Sequence, residues 1–143
     1  MIRPARAADV PAVAAIEAAW PSAPGWTAAQ FGAELGRTDR LFLVAEADGA
    51  VDAYAVAWLV GEEAQLYTIS VRPAVARRGQ GKALLAALKA AAKAAGCSKL
   101  TLEVSERNLP ARSLYARAGA RVVGRRPKFY NDSADALLMD IPL

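Results

Sequence analysis

The 143-residue chain contains no histidine and a single cysteine. Without histidine it lacks the commonest general base near neutral pH and the commonest zinc ligand. Acid–base chemistry must then fall to carboxylate, tyrosine, lysine or water. The lone Cys97 excludes an internal disulfide and a cysteine-cluster metal centre. No apolar run is long enough to span a bilayer, and Met1 to Asp9 holds no apolar core of signal-peptide length. A cytoplasmic protein with no membrane partner and no bound metal is therefore expected.

What is present suits one globular domain over residues 1–143. Apolar residues make up 55% and charged residues 22%, which argues against disorder, although much of the apolar share is alanine. The net charge of +4 points to an anionic ligand or partner without naming it.

Along the chain, Ile2 to Pro4 reads as an edge strand. Asp9 is placed to cap a helix carrying Val10, Val13, Ile16 and Trp20 at helical spacing. Thr27 and Gln30 form a capping-box pair, with Trp26 and Phe31 in the staple positions, so a short helix is expected from Ala28 to about Leu35. Asp48-Gly49 marks a hairpin between strands Leu41–Ala47 and Ala50–Val60. A third strand, Ala64–Val71, ends at Pro73. A helix from about Gly79 to Ala95 follows, its buried stripe predicted at Leu84, Leu88, Ala91 and Ala95. Lys99 to Ser105 alternates as a strand, with Leu100, Leu102 and Val104 on one face. Asn108 caps a helix that ends at Gly119. Arg121 to Val123 and Ala134 to Ile141 are the last strands, separated by a basic loop from Gly124 to Ser133. This order implies an α/β fold, a mixed, mostly antiparallel sheet with helices on both faces rather than a regular doubly wound one.

The chain is organised around the corner Val71 to Lys82. Its segment Arg77-Arg78-Gly79-Gln80-Gly81-Lys82 follows a predicted strand and opens a predicted helix. Such a corner offers unpaired amides and a positive dipole end, a receptor for phosphate. It is not a P-loop, because Ala76 stands where the first glycine is required and Ala83 replaces the magnesium-binding hydroxyl. Nor is it a dinucleotide fingerprint, since the third glycine is missing. A plain glycine turn with solvated arginines remains the bland alternative.

The corner resembles the acetyl-CoA signature of the GNAT acetyltransferases. Ala76 replaces that signature's leading Gln or Arg. Leu102 to Gly119, with Glu-Val, then Asn108, then Ala-x-x-Leu-Tyr-x-x-x-Gly, is similar to the second half of the same cofactor domain. Trp26-Thr27 with Phe31, Arg125-Arg126 with Tyr130, and the ending Ala136-Leu137-Leu138-Met139 resemble the family's branch that acetylates the N-terminal alanine of a small ribosomal subunit protein. Departures from that branch are Ala120 after the glycine, Thr68 where Asn is common, and a short loop after Tyr130.

The resemblance implies a GNAT acyltransferase fold, acetyl-CoA as cosubstrate, and a protein N-terminus as acceptor. It assigns Glu103 as the base, directly or through water, and Tyr115 as the acid that protonates the departing thiolate. It places the diphosphate on Arg77, Arg78, Gly79, Gln80, Gly81 and Lys82, and the pantetheine arm against Val71 and Asn108, with the main-chain oxyanion donor near Ile69. Trp26 and Tyr130 become walls of the acceptor cleft. On the residues alone, Glu103 reads as a solvated or salt-bridged strand carboxylate and Tyr115 as a tyrosine packed on the sheet. The competing functions are a GNAT acting on a small amine or a lysine side chain, and an acyl-CoA-binding protein without catalysis. Direct nucleic-acid binding is not expected, because the basic residues are scattered and no nucleic-acid motif is present.

Overall fold

Asp48 and Gly49 both adopt left-handed φ, 53° and 78°. That is the twist of a type I′ turn, and it folds Arg40–Ala47 (β2) back on Ala50–Val60 (β3). The computed structural model describes residues 1–143. Around this hairpin a seven-stranded sheet is built, adding Ile2–Pro4 (β1), Glu63–Val71 (β4), Lys99–Ser105 (β5), Arg121–Arg126 (β6) and Ala136–Pro142 (β7). The strand order is β1-β2-β3-β4-β5-β7-β6. All neighbours are antiparallel except β4 and β5. The helices are Val10–Ala18 (α1), Ala28–Glu34 (α2), Gln80–Ala94 (α3) and Leu109–Arg117 (α4). This is the mixed sheet, helix-covered on both faces, that the sequence pattern predicts.

β3 shows how both faces are filled. Ala53, Ala55 and Ala57 belong to the core under α3, whereas Tyr54 and Val56 belong to the core under α1 and α2. Small side chains on one face let the Leu84–Leu88 side of α3 lie close; large ones on the other fill the space beneath shorter helices. Each leucine of α3 so buried contributes about 1.5–3 kcal/mol. Leu100, Leu102 and Val104 of β5 join the α3 core as their alternation predicts.

Four local expectations change. Asp9 does not cap α1. It accepts the Arg6 N–H at 2.7 Å, closing a 3-10 turn at Ala7–Asp9, and is held by the Arg3 guanidinium. That guanidinium, foremost, keeps the Asp9 carboxyl below its ordinary range. Trp20 lies beyond the end of α1, and its indole N–H donates to the Val71 carbonyl at 2.7 Å. The buried stripe of α3 is Leu84, Leu85, Leu88 and Ala92; Ala95 is exposed. Finally, the strand predicted at Arg121–Val123 continues to Arg126, because Gly124, Arg125 and Arg126 pair with Leu138, Leu137 and Ala136. At Gly124 a Cβ would lie 2.9 Å from Leu138 Cδ1, so only glycine fits that approach without a shift. The capping box of α2 forms in both directions, and the Trp26 and Phe31 rings pack in a tilted arrangement with centroids 5.4 Å apart.

Candidate active site

β4 and β5 start side by side and then part. Only Glu63, Ala64 and Gln65 pair with β5, opposite Lys99, Leu100 and Thr101. Just beyond, β4 carries a bulge. Val56 of β3 faces Thr68 and Ala57 faces Leu66, which leaves Tyr67 as the extra residue. A bulge bends its strand and strengthens the twist. From Leu66 onward the β5-facing edge of β4 therefore has no strand partner, and its main-chain groups are open to a ligand.

The gap is the mouth of a cleft of about 1490 Å³. Ile69, Glu103, Asn108, Tyr115 and Tyr130, five of the residues named from sequence, line it. Pro21 to Pro24 form a further wall. Trp26, expected from sequence as a wall, is not itself part of the lining; its ring lies 6.1 Å from that of Tyr67, which is.

Glu103 projects from the solvent face of β5, opposite Leu138 of β7. Arg126 of β6 bonds its carboxylate at 3.2 Å. So the strand that sequence pattern placed in a loop supplies the partner that orients this carboxylate. Tyr115 comes from α4 and is only 7% exposed. Burial, foremost, with a smaller effect of Tyr130, pushes its hydroxyl above the ordinary tyrosine value of 10.0. Tyr130 and Tyr67 are raised chiefly by burial as well, and the Glu103 charge adds to both. Asn108 accepts the Ala111 N–H at 3.3 Å, as a helix N-cap, and also lines the cleft.

The glycine corner lies just outside this lining, at the C-terminal end of β4. Gly79 is the N-cap of α3 with φ 84°, and Arg77 is also left-handed at 67°. A non-glycine residue there costs roughly 1–2 kcal/mol, so the surrounding contacts must hold it. The first helical bond runs from Ala83 N–H to the Gly79 carbonyl. The N–H groups of Gln80, Gly81 and Lys82 are thus left pointing out of the helix end. Arg72 pairs with Asp52 at 2.8 Å, whereas Arg77, Arg78 and Lys82 pair with no carboxylate. The Gln80 side chain turns inward and donates to Asp52 at 2.9 Å, so what it offers an anion is its main chain. Asp52, buried on β3, thereby ties the corner to the sheet through both Arg72 and Gln80. Val71 sits beside the corner. Its carbonyl is already engaged by Trp20, leaving one lone pair and the N–H for a ligand amide.

Several residues of the site carry no sequence signal. Asp52 and Tyr67 join it only through tertiary pairing, and so does Glu17, whose buried carboxylate accepts from the cleft residue Thr68; Arg126 was named from sequence, but its pairing with Glu103 was not. No group of three or more Cys, Asp or Glu side chains is placed to hold a metal ion. No helix is long and apolar enough to cross a membrane.

A sheet prised open beside a bulge, with a glycine corner at the strand end and a carboxylate and tyrosine in the gap, defines an acyltransferase of the GNAT fold. The model of the Acetyltransferase (GNAT) family matches residues 10–120, and the chain belongs to that family. It is 33% identical, over 96% of its length and 92% of the relative's, to a Bacillus subtilis (strain 168) protein named as a candidate [ribosomal protein bS18]-alanine N-acetyltransferase. It is 31% identical to the [ribosomal protein bS18]-alanine N-acetyltransferase of Escherichia coli (strain K12), covering 94% of this chain and 92% of that one. The crystal structure of the ribosomal-protein-S18-alanine N-acetyltransferase from Escherichia coli superposes with a TM-score of 0.89 at 31% identity, over 99% of this chain and 92% of that one.

Proposed function

We propose that the chain is a single-domain cytoplasmic enzyme that transfers acetyl from acetyl-CoA to the N-terminal alanine of a small ribosomal subunit protein. The observation that carries this reading is the meeting of Glu103, Tyr115 and Asn108 in one cleft beside an open strand edge. The near full-length similarity to proteins named for that reaction supports the choice of acceptor.

The chemistry suits the residues. A protein α-amine has a pKa of about 7.7–8.0, so a useful share is neutral near pH 7, whereas a lysine amine at about 10.4 is not. A modest base therefore suffices. Glu103 accepts the amine proton, directly or through a water, as nitrogen attacks the thioester carbon. A main-chain N–H of β4 near Ile69 stabilises the oxyanion, as preorganised donors do. The C–N bond forms, the C–S bond breaks, and Tyr115 gives its proton to the departing thiolate. Binding aligns the two reactants, with the diphosphate on the amides of Gly79 to Lys82 flanked by Arg77 and Arg78, and the pantetheine arm between Val71 and Asn108. Tyr130 and the Pro21–Pro24 wall that leads to Trp26 confine the acceptor's first residue and favour a small side chain.

The test is a thiol-release assay with acetyl-CoA and three acceptor sets: alanine-terminated peptides, N-terminally blocked peptides with an internal lysine, and small amines. Turnover concentrated on the alanine-terminated peptides is expected. Preference for lysine or small amines would move the enzyme to another branch of the family, and no release with any amine would make it a binding protein.

A further inference from the structure

Glu17, in the last turn of α1, is fully buried at 0% exposure. A carboxylate there is costly unless donors surround it. Three do. The Tyr54 hydroxyl donates to Oε1, the Thr68 hydroxyl donates to the same oxygen at 2.7 Å, and the Trp26 main-chain N–H donates to Oε2 at 2.9 Å. These donors belong to β3, to β4 and to the entry of α2. Two of them border the cleft: Thr68 lines it, and Trp26 ends the loop whose Pro21–Pro24 segment is its wall.

The direction of the Thr68 bond has a chemical consequence. A carboxylate is an acceptor only, and threonine has one hydroxyl proton. Once that proton is committed to Glu17, Thr68 meets any ligand above it as an acceptor. An incoming amine or peptide N–H is the matching donor.

We propose that Glu17 is a positioning residue for the acceptor half of the cleft. It holds the wall at Trp26 and turns Thr68 to accept a hydrogen bond from the incoming amino-terminal residue. This rests on reading the cleft as the acceptor site of an N-terminal acetyltransferase.

Glu17→Gln tests it, because an amide in that place must disturb one partner. If its NH2 faces Trp26, the loop is released. If it faces the hydroxyls, Thr68 is turned into a donor. Thr68→Val removes the hydroxyl at nearly constant shape. Ile16→Val, one residue away in the α1 core, is the control for simple loss of stability. Steady-state kinetics with an alanine-terminated peptide and acetyl-CoA would be measured beside Tm for each. Glu17→Gln and Thr68→Val are expected to raise the peptide KM about tenfold, one hydrogen bond's worth, with the acetyl-CoA KM unchanged. Ile16→Val should lower Tm and move neither KM. Wild-type peptide KM in Glu17→Gln or Thr68→Val would overturn the proposal, and so would an equal rise in both KM values. Should Glu17→Gln fail to fold, Thr68→Val decides alone. Wild-type enzyme that turns over no N-terminal peptide would instead remove the acceptor reading, and this proposal with it.

Discussion

In the proposed mechanism Glu103 and Tyr115 divide the proton work, and their surroundings differ. Glu103 is partly exposed and braced by Arg126, so it can reach both water and an amine. Tyr115 is buried, and burial holds its proton beyond the ordinary tyrosine value of 10.0. An acid that retains its proton there stays ready to protonate thiolate throughout the working range. Glu103→Gln and Tyr115→Phe are each expected to lower kcat by about 10²–10⁴-fold, the worth of one positioned base or acid. Acetyl-CoA affinity, read by calorimetry, should stay within about twofold, because neither side chain is placed against the diphosphate. The wild-type pH profile should show no loss of kcat from tyrosine ionisation as pH rises to about 10, since the raised pKa keeps the acid form populated above its ordinary midpoint. Wild-type kcat in both variants would remove the assigned roles.

On the proposed reading donor binding turns on the corner before α3, and Gly81 is its most informative position. A Cβ there would meet Val71 Cγ2 at 3.5 Å and Leu114 Cδ2 at 3.8 Å, ordinary contacts, and its φ is not left-handed. Gly81→Ala is therefore expected to fold with Tm near wild type. Gly81→Asp should fold too, yet lose detectable coenzyme A binding, because it sets a carboxylate against the phosphates. Retained binding in Gly81→Asp would take the diphosphate away from this corner. Elements of this kind were legible in the sequence wherever local chemistry marks an end. Asp48-Gly49 supplies the left-handed φ of its turn, Thr27 with Gln30 and Asn108 satisfy specific main-chain groups, and the structure keeps all three. The face of α3 was less legible, because a helix rich in alanine gives little contrast between its sides; packing selects Leu85 and Ala92 over Ala91 and Ala95. The reach of β6 to Arg126 was hidden by its polar composition, since partnership with β7, not apolarity, makes those residues a strand.

At the scale of the whole molecule, the proposed function follows from one defect in an otherwise continuous sheet. The β4–β5 seam closes over three residue pairs and then opens, and the bulge at Tyr67 accompanies the opening. Neither the bulge nor the gap had a signature in the sequence, because both arise from how β4 pairs on its two sides. Glu103, Asn108 and Tyr115 were legible only through the resemblance of Leu102 to Gly119 to a known cofactor domain, since on the residues alone they read as a strand carboxylate, a helix cap and a packed tyrosine. Glu17, Asp52 and Thr68 were not, since they come together only when α1, β3 and β4 pack. The central claim is that the acyl donor lies in this gap, anchored by its diphosphate at the α3 end. A crystal structure with coenzyme A tests it most directly. Diphosphate oxygens within hydrogen-bond distance of the Gln80, Gly81 and Lys82 amides, with the thiol between Glu103 and Tyr115, are predicted. Coenzyme A bound elsewhere, or a gap closed by continued β4–β5 pairing, would contradict it.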